Sequence, residues 1–249
     1  MAKQLEQYSP KKVLDIGSGL GHGILALLST FPSATILGVE ENVSCFHKAV
    51  GLLKNKGVPV VSKVRGRVIE SASGYSTAYE PANSIDVMNG VLLVEADFLS
   101  DSDLLAKIRD CGPYDAITVW LPGTHLLRPL EHHIRGRIQH ANEYRLKVQN
   151  AAYDLAHQVL RLGGVIHIVD RARQPKSPTE HAAIVEGHED QASTTDLQLR
   201  DVAFMQYSET EMGMPMMQFQ AQQRVQYKSI ATTLVSVISQ KPKAVSKAH

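Results

Sequence analysis

The sequence predicts an α/β fold in which a mostly parallel, seven-stranded sheet is covered by helices on both faces. Three observations lead there. Short β-branched runs alternate with longer amphipathic ones along most of the chain. The first such run leads into a helix through the glycine-rich segment GSGLGHG. The 249 residues show no composition break of the kind that marks a linker, so residues 1–240 read as one domain.

Lys12 to Ile16 (KVLDI) is the first strand, and ILALLSTF after the glycines is a helix closed by Pro32. Thr35 to Glu40 (TILGVE) is the second strand, followed by a helix from about Val43 to Lys56 that Gly57 and Pro59 terminate. Gly90 to Glu95 is the third strand. Ser100 is the expected cap of the helix through DSDLLAKIRD, whose first turn carries two aspartates. Tyr114 to Trp120 makes the fourth strand. From about Ile138 to Arg161 the positions Ile138, Ala141, Val148, Ala152, Leu155 and Val159 share one helical face, with Gly163 as the stop. Val165 to Val169 is the fifth strand, and VAFMQYS and TTLVSVIS supply two more, whereas Arg173 to Asp201 mixes helix and loop signals.

Two stretches fall outside that plan. Residues 58–89 form an insertion too long and too rich in Gly, Ser and Pro for an ordinary connection, either a flap over a ligand or a plain surface excursion. Residues 241–249 read as a disordered tail.

Composition excludes several classes of function. Twenty-six Lys and Arg against 25 Asp and Glu leave a net charge of +1, so no overall field favours nucleic acid or a membrane surface. No apolar run reaches membrane-spanning length, and the N-terminus lacks the apolar segment of a signal peptide. Two cysteines, Cys45 and Cys111, without ligand spacing argue against a metal site and fit a reducing, cytoplasmic setting. Four of the seven methionines lie between Met212 and Met217, suited to a homodimer surface, a pocket rim or loose core.

The chemistry is concentrated at strand ends. Asp15 closes the first strand, and Gly17, Gly19 and Gly21 let the backbone turn sharply and approach a ligand without interference from Cβ atoms. The spacing is not that of a dinucleotide fingerprint, because His22 or Ile24 falls where its last glycine belongs. There is no P-loop lysine either.

VLDIGSGLG instead resembles the first motif of the class I S-adenosylmethionine-dependent methyltransferases. Glu40 ends the second strand where that family carries an acid for the ribose hydroxyls, with Glu41 as the alternative. Asp97 follows the third strand where the family often has an adenine-binding acid, although capping of the next turn explains it equally. The resemblance implies a doubly wound three-layer α/β/α sandwich with the last strand antiparallel, and S-adenosylmethionine as cofactor. It assigns cofactor contacts to Asp15, Gly17, Ser18, Gly19, Gly21, Glu40, Asp97, Phe98 and Trp120.

The acceptor belongs beyond the fourth strand, at Trp120 to His125, where open parallel sheets bind their ligands. WLPG lacks the [DNS]-P-P-[YF] pattern of amino-methylating relatives of nucleic acids and glutamine, and no Pro-Cys pair serves cytosine chemistry. A small-molecule acceptor, methylated on oxygen or nitrogen, is the resulting expectation. His125 is the candidate general base, set against the bland reading of one solvated histidine among 11. Trp120 either packs under a ligand or belongs to the core. Arg128, Arg135, Arg137, Arg145 and Lys147 either clamp an anionic acceptor or form a solvated helix face. Three other readings stand beside methyl transfer to a small molecule. They are a non-catalytic S-adenosylmethionine-binding or scaffold subunit, an aminopropyltransferase, and an RNA or protein methyltransferase.

Overall fold

The computed structural model describes residues 1–82, 85, 90–123, 128–134, 138, 141–207 and 232–243, without the side chains of 141, 142 and 232. A 3-10 helix over Ala2–Tyr8 precedes β1 (Lys12–Ile16), α1 (His22–Thr30), β2 (Thr35–Glu40) and α2 (Val43–Asn55). Then come β3 (Val60–Val64), β4 (Gly66–Ser71), β5 (Gly74–Tyr79), β6 (Val91–Glu95), α3 (Ser102–Cys111) and β7 (Tyr114–Trp120). After a 3-10 turn at Arg128–Leu130 follow α4 (Ala141–Val159), β8 (Leu160–Arg173), α5 (Pro178–Ser193), β9 (Gln198–Gln206) and β10 (Thr232–Gln240).

Eight strands form the main sheet in the order β3-β6-β2-β1-β7-β8-β10-β9, one more than the seven expected. The addition is β3, an edge strand parallel to β6 that lies inside the expected insertion. Its side chains are largely exposed, so the run VVSKV carries no burial pattern by which to recognise it. β10 pairs antiparallel with both β8 and β9, and the other pairings of this sheet are parallel. The chain reversal falls at the last strand, as the resemblance implies.

Two apolar layers sandwich the sheet. On one face Ile24, Leu27, Phe46, Ala49 and Leu53 from α1 and α2 pack with Val13, Ile36 and Leu93. On the other, Leu104 and Ile108 from α3 and Val148, Ala152, Leu155 and Val159 from α4 pack with Leu14, Leu37 and Ile117. The four α4 residues are among those whose 3.6-residue spacing predicts a buried face.

Two local expectations are corrected and one ambiguity is resolved. The N-cap of α3 is Asp101, whose carboxylate accepts from Leu104 N at 2.9 Å, while the Ser100 hydroxyl turns back to Asp97. α4 ends at Val159, four residues short of Gly163, because β8 begins at once and pairs with β7. The ambiguous stretch before β9 contains α5, whose cap Ser177 accepts from Glu180 N at 3.1 Å and is followed by Pro178 in the first turn. Ser-Pro-x-Glu is a helix-start signal that was available in the sequence. Most of the anticipated tail, residues 244–249, lies outside the described residues, as does the methionine group Met212 to Met217. Among the described residues no helix is long and apolar enough to cross a membrane.

One glycine position lets α1 and the loop before it settle on the sheet. A Cβ on Gly38, in the middle of β2, would lie 2.7 Å from both Leu93 Cδ1 and Ser18 Oγ. Gly38→Ala is expected to cost about 1–3 kcal/mol by overpacking, read as a lowered melting temperature. An unchanged melting temperature would mean that both neighbours move aside freely.

Candidate functional site at the carboxyl edge of the sheet

The site is assembled where β1, β2, β6 and β7 end. β1 lies between β2 and β7, which sets Asp15 opposite Thr118, and the Thr118 hydroxyl donates to Asp15 Oδ1 at 2.6 Å. Asp15 is 2% exposed, and its second oxygen, Oδ2, is buried without a hydrogen-bond partner. Burial pushes its carboxyl up, against the opposing hydrogen bonds from Thr118 and Ser18. A buried acceptor left open is costly unless a ligand or water meets it.

The glycine loop folds back on β2. Gly17 N and Ser18 N both donate to Val39 O, at 2.9 and 3.0 Å, and Gly19 N donates to Glu40 Oε2 at 2.7 Å. Gly17, Gly19 and Gly21 take φ of 77°, 54° and 84°, a region that residues with a Cβ rarely adopt. Gly21 also brings α1 against α2, since a Cβ there would sit 3.1 Å from Ala49 Cβ.

Glu40 is 6% exposed and accepts from Asn42 N on Oε1, at 2.8 Å, and from Gly19 N on Oε2. Burial raises its carboxyl, the two backbone donors lower it, and Asp15 and Glu95 raise it again. Two acceptor positions remain on a carboxylate that receives two hydrogen bonds. Glu41 turns elsewhere: the Tyr144 hydroxyl donates to it, and its Oε2 lies 3.3 Å from Arg128 Nη1. Of the two alternatives at this strand end, Glu40 is the one bonded to the glycine loop.

Asp97 is engaged by its surroundings. Its carboxylate accepts from Leu99 N at 2.9 Å, from the Ser100 hydroxyl, and from Arg128 Nη2 at 2.5 Å. Phe98 is buried in the core layer of α3 and α4. Trp120 is buried on the α1 side, and its indole N–H donates to His167 Nδ1 at 3.1 Å. Leu121, immediately beyond β7, has φ of 55° with its N–H bonded to Val169 O at 2.7 Å. Such a backbone costs on the order of 1–3 kcal/mol, a strain typically kept where a strand end faces a ligand.

The arginines do not form one solvated face. Arg128 is 4% exposed, held between Asp97 and Glu41, with its Cζ 4.9 Å from the Tyr144 ring centre. Arg145 is half-buried against Asp170, Lys147 is exposed, and Arg135 and Arg137 lie outside the described residues. His125, the candidate base, lies outside them too. His132 and His133 are exposed. Among the described residues no group of three or more His, Cys, Asp or Glu is arranged to hold a metal ion.

The described part of the expected insertion is folded, and its β4–β5 hairpin reaches this edge. Glu95 Oε2 accepts from Arg65 N and Gly66 N at 3.1 and 2.7 Å, while the Arg65 guanidinium makes a buried bidentate pair with Asp101 at 2.8 to 3.1 Å. Those contacts aim the β4–β5 hairpin toward the segment after β7, where His132 N donates to Tyr75 O at 2.8 Å. No sequence signal marks this docking except Gly74 in the hairpin turn.

No protein-family model matches the chain, and no curated protein does. Solved structures do match in fold. A SAM-dependent methyltransferase from Methanosarcina mazei superposes with a TM-score of 0.51 at 10% identity, covering 96% of this chain and 97% of that one. The M. jannaschii TYW2 protein in complex with AdoMet gives 0.50 at 12% identity over 96% of this chain and 74% of that one. StiE O-MT gives 0.52 at 12% identity, with coverage of 98% and 74%. At these identities the likeness is one of fold.

Proposed function

We propose that this chain, which has the fold of the class I S-adenosylmethionine-dependent methyltransferases, binds S-adenosylmethionine and transfers its methyl group to a small molecule. The observation that carries the reading is Glu40. It is a buried carboxylate at the end of β2, tied to the glycine loop through Gly19 N and still able to accept from two hydroxyls. Three further features fit the same cofactor. The glycine loop carries no Cβ at Gly17, Gly19 and Gly21, Asp15 Oδ2 is an open buried acceptor, and Trp120 sits at the end of β7. When bound, S-adenosylmethionine supplies a methyl carbon made electrophilic by its sulfonium.

In this reading Glu40 accepts from the ribose, Gly17, Ser18, Gly19 and Gly21 line the approach, and Asp15 is tied to β7 through Thr118 and to the loop through Ser18. Asp97 contributes indirectly, by holding Arg128 and the turn that leads to Phe98 and α3. The fold's contribution to rate is positional, since it keeps an acceptor in line beside the cofactor site. His125 stays the proposed base for an acceptor that must lose a proton.

Calorimetric titration with S-adenosylmethionine, S-adenosylhomocysteine and NAD tests this reading. The first two are expected to bind and NAD is not; tight binding of NAD alone would overturn the proposal. Glu40→Ala is expected to weaken S-adenosylhomocysteine by about 1–3 kcal/mol, since it removes the ribose acceptor and orphans two backbone donors. Unchanged affinity would move the role away from Glu40.

A further inference from the structure

Resting on the reading above, we propose that the acceptor is a cationic amine, recognised by Glu131 and Tyr75 between the β4–β5 hairpin and the turn that follows β7. Glu131 is 2% exposed, and its Oε2 is buried with no hydrogen-bond partner. The segment lies beyond the carboxyl end of β7, where open parallel sheets take their ligands. A buried carboxylate oxygen left open there is an acceptor awaiting a donor.

The hairpin encloses that position. Tyr75 bridges to Glu131 through the backbone, and His132 N donates to Tyr75 O at 2.8 Å. The approach is tight enough that a Cβ on Gly74 would lie 2.1 Å from Leu130 O. Tyr75 is therefore fixed over the turn that carries Glu131. Its hydroxyl is within electrostatic reach of Arg128, Glu131, Glu41 and Asp97, three carboxyl groups and one guanidinium.

Charge decides between the two acceptor classes. The charge of Arg128 is already countered, with Nη1 3.3 Å from Glu41 Oε2 and Nη2 2.5 Å from Asp97 Oδ2. An anionic acceptor would find a guanidinium already paired with acids, beside three carboxyl groups. An ammonium finds the open Glu131 oxygen, an excess of formal negative charge, and the Tyr75 ring. The burial of Glu131 strengthens the preference, because interactions between charges grow as the local dielectric falls.

The test uses the full chain saturated with S-adenosylhomocysteine. Benzylamine and spermidine are titrated against benzoate and benzyl phosphate, followed by calorimetry and by the fluorescence of Trp120, the single tryptophan. The amines are expected to bind saturably and the two anions are not. Glu131→Gln is expected to weaken the amines about tenfold or more, as loss of a charge-assisted hydrogen bond would, and to leave S-adenosylhomocysteine affinity unchanged. Tyr75→Phe, which removes only a hydroxyl, is a milder second variant expected to weaken the amines as well. Glu70→Gln, at an exposed acid on the same hairpin, is expected to change neither ligand. The proposal is overturned if no amine binds, if the anions bind as tightly as the amines, or if Glu131→Gln and Tyr75→Phe leave amine affinity intact. Failure of S-adenosylhomocysteine to bind would count against the cofactor reading alone, because the amine titrations can also be run without it.

Discussion

Arg128→Met is expected to lower folding stability by about 3–5 kcal/mol, the usual consequence of leaving buried charges without their partner. Arg128 is the counter-ion of Asp97 and Glu41, and its guanidinium also covers the Tyr144 ring. Methionine replaces the volume and restores none of the charge. Urea denaturation at pH 8 and pH 5 measures the loss, which is expected to be smaller at pH 5. The reason is Glu41, which burial pushes up to about 7 even though Arg128 opposes it. The folded protein therefore holds a proton on Glu41 that the unfolded chain releases near its ordinary value of 4.5. Stability from this group is full below that value and is lost as pH rises through about 7. Without Arg128 the proton is held more firmly, so acid relieves the variant. A second change, Glu41→Gln, is expected to recover part of the loss at pH 8. A cost below about 1 kcal/mol for Arg128→Met would show the pair to be solvated, as exposed pairs are.

The acid limb of the stability profile is expected to belong to His167. This side chain lies in β8, fully buried, with Nδ1 accepting from the Trp120 indole and Nε2 2.8 Å from Ser236 Oγ, which donates onward to Gln4 Oε1 at 3.0 Å. The chain of donors fixes the neutral tautomer with its proton on Nε2. Burial holds the imidazole down at about 3, against an ordinary value of 6.5. Between those values the unfolded chain binds a proton that the folded protein refuses, so stability falls as pH drops through that window. The full loss is on the order of 5 kcal/mol, larger than the opposing gain from Glu41. His167→Asn, which can still accept from Trp120, is expected to be less stable at pH 8 but to show a flatter acid slope. An equal slope in the variant would assign acid unfolding to other groups.

Much of this fold was legible in the sequence. The bounds of β1, β2 and β7 are those that apolar, β-branched runs predict, because each is a central strand buried on both faces. The glycine loop was equally plain, since its spacing is a local backbone requirement. β3 and the hairpin were hidden for the opposite reason. Their exposed Val61, Val64, Val68 and Ile69 show no buried face, and their order comes from contacts with Glu95, Asp101 and the segment after β7.

The charges divide along the same line. That Asp15, Glu40 and Asp97 lie at the carboxyl ends of β1, β2 and β6 is a property of position in the chain, and local periodicity determines it. Which acid faces the loop, and whether an arginine meets solvent, a substrate or a counter-ion, depends on partners far apart in sequence. Tyr144 reaches Glu41 across 103 positions, and Asp97 meets Arg128 across 31. The basic cluster beside the site thus contains a buried Arg128 that neutralises acids, and an open carboxylate lies next to it on Glu131. The sequence by itself determined the strands, the loop and the order of the acids, because backbone geometry and hydrophobic period act between near neighbours. Tertiary structure alone decided the sign of the charge offered to a ligand, because desolvation and ion pairing exist only once distant segments have packed.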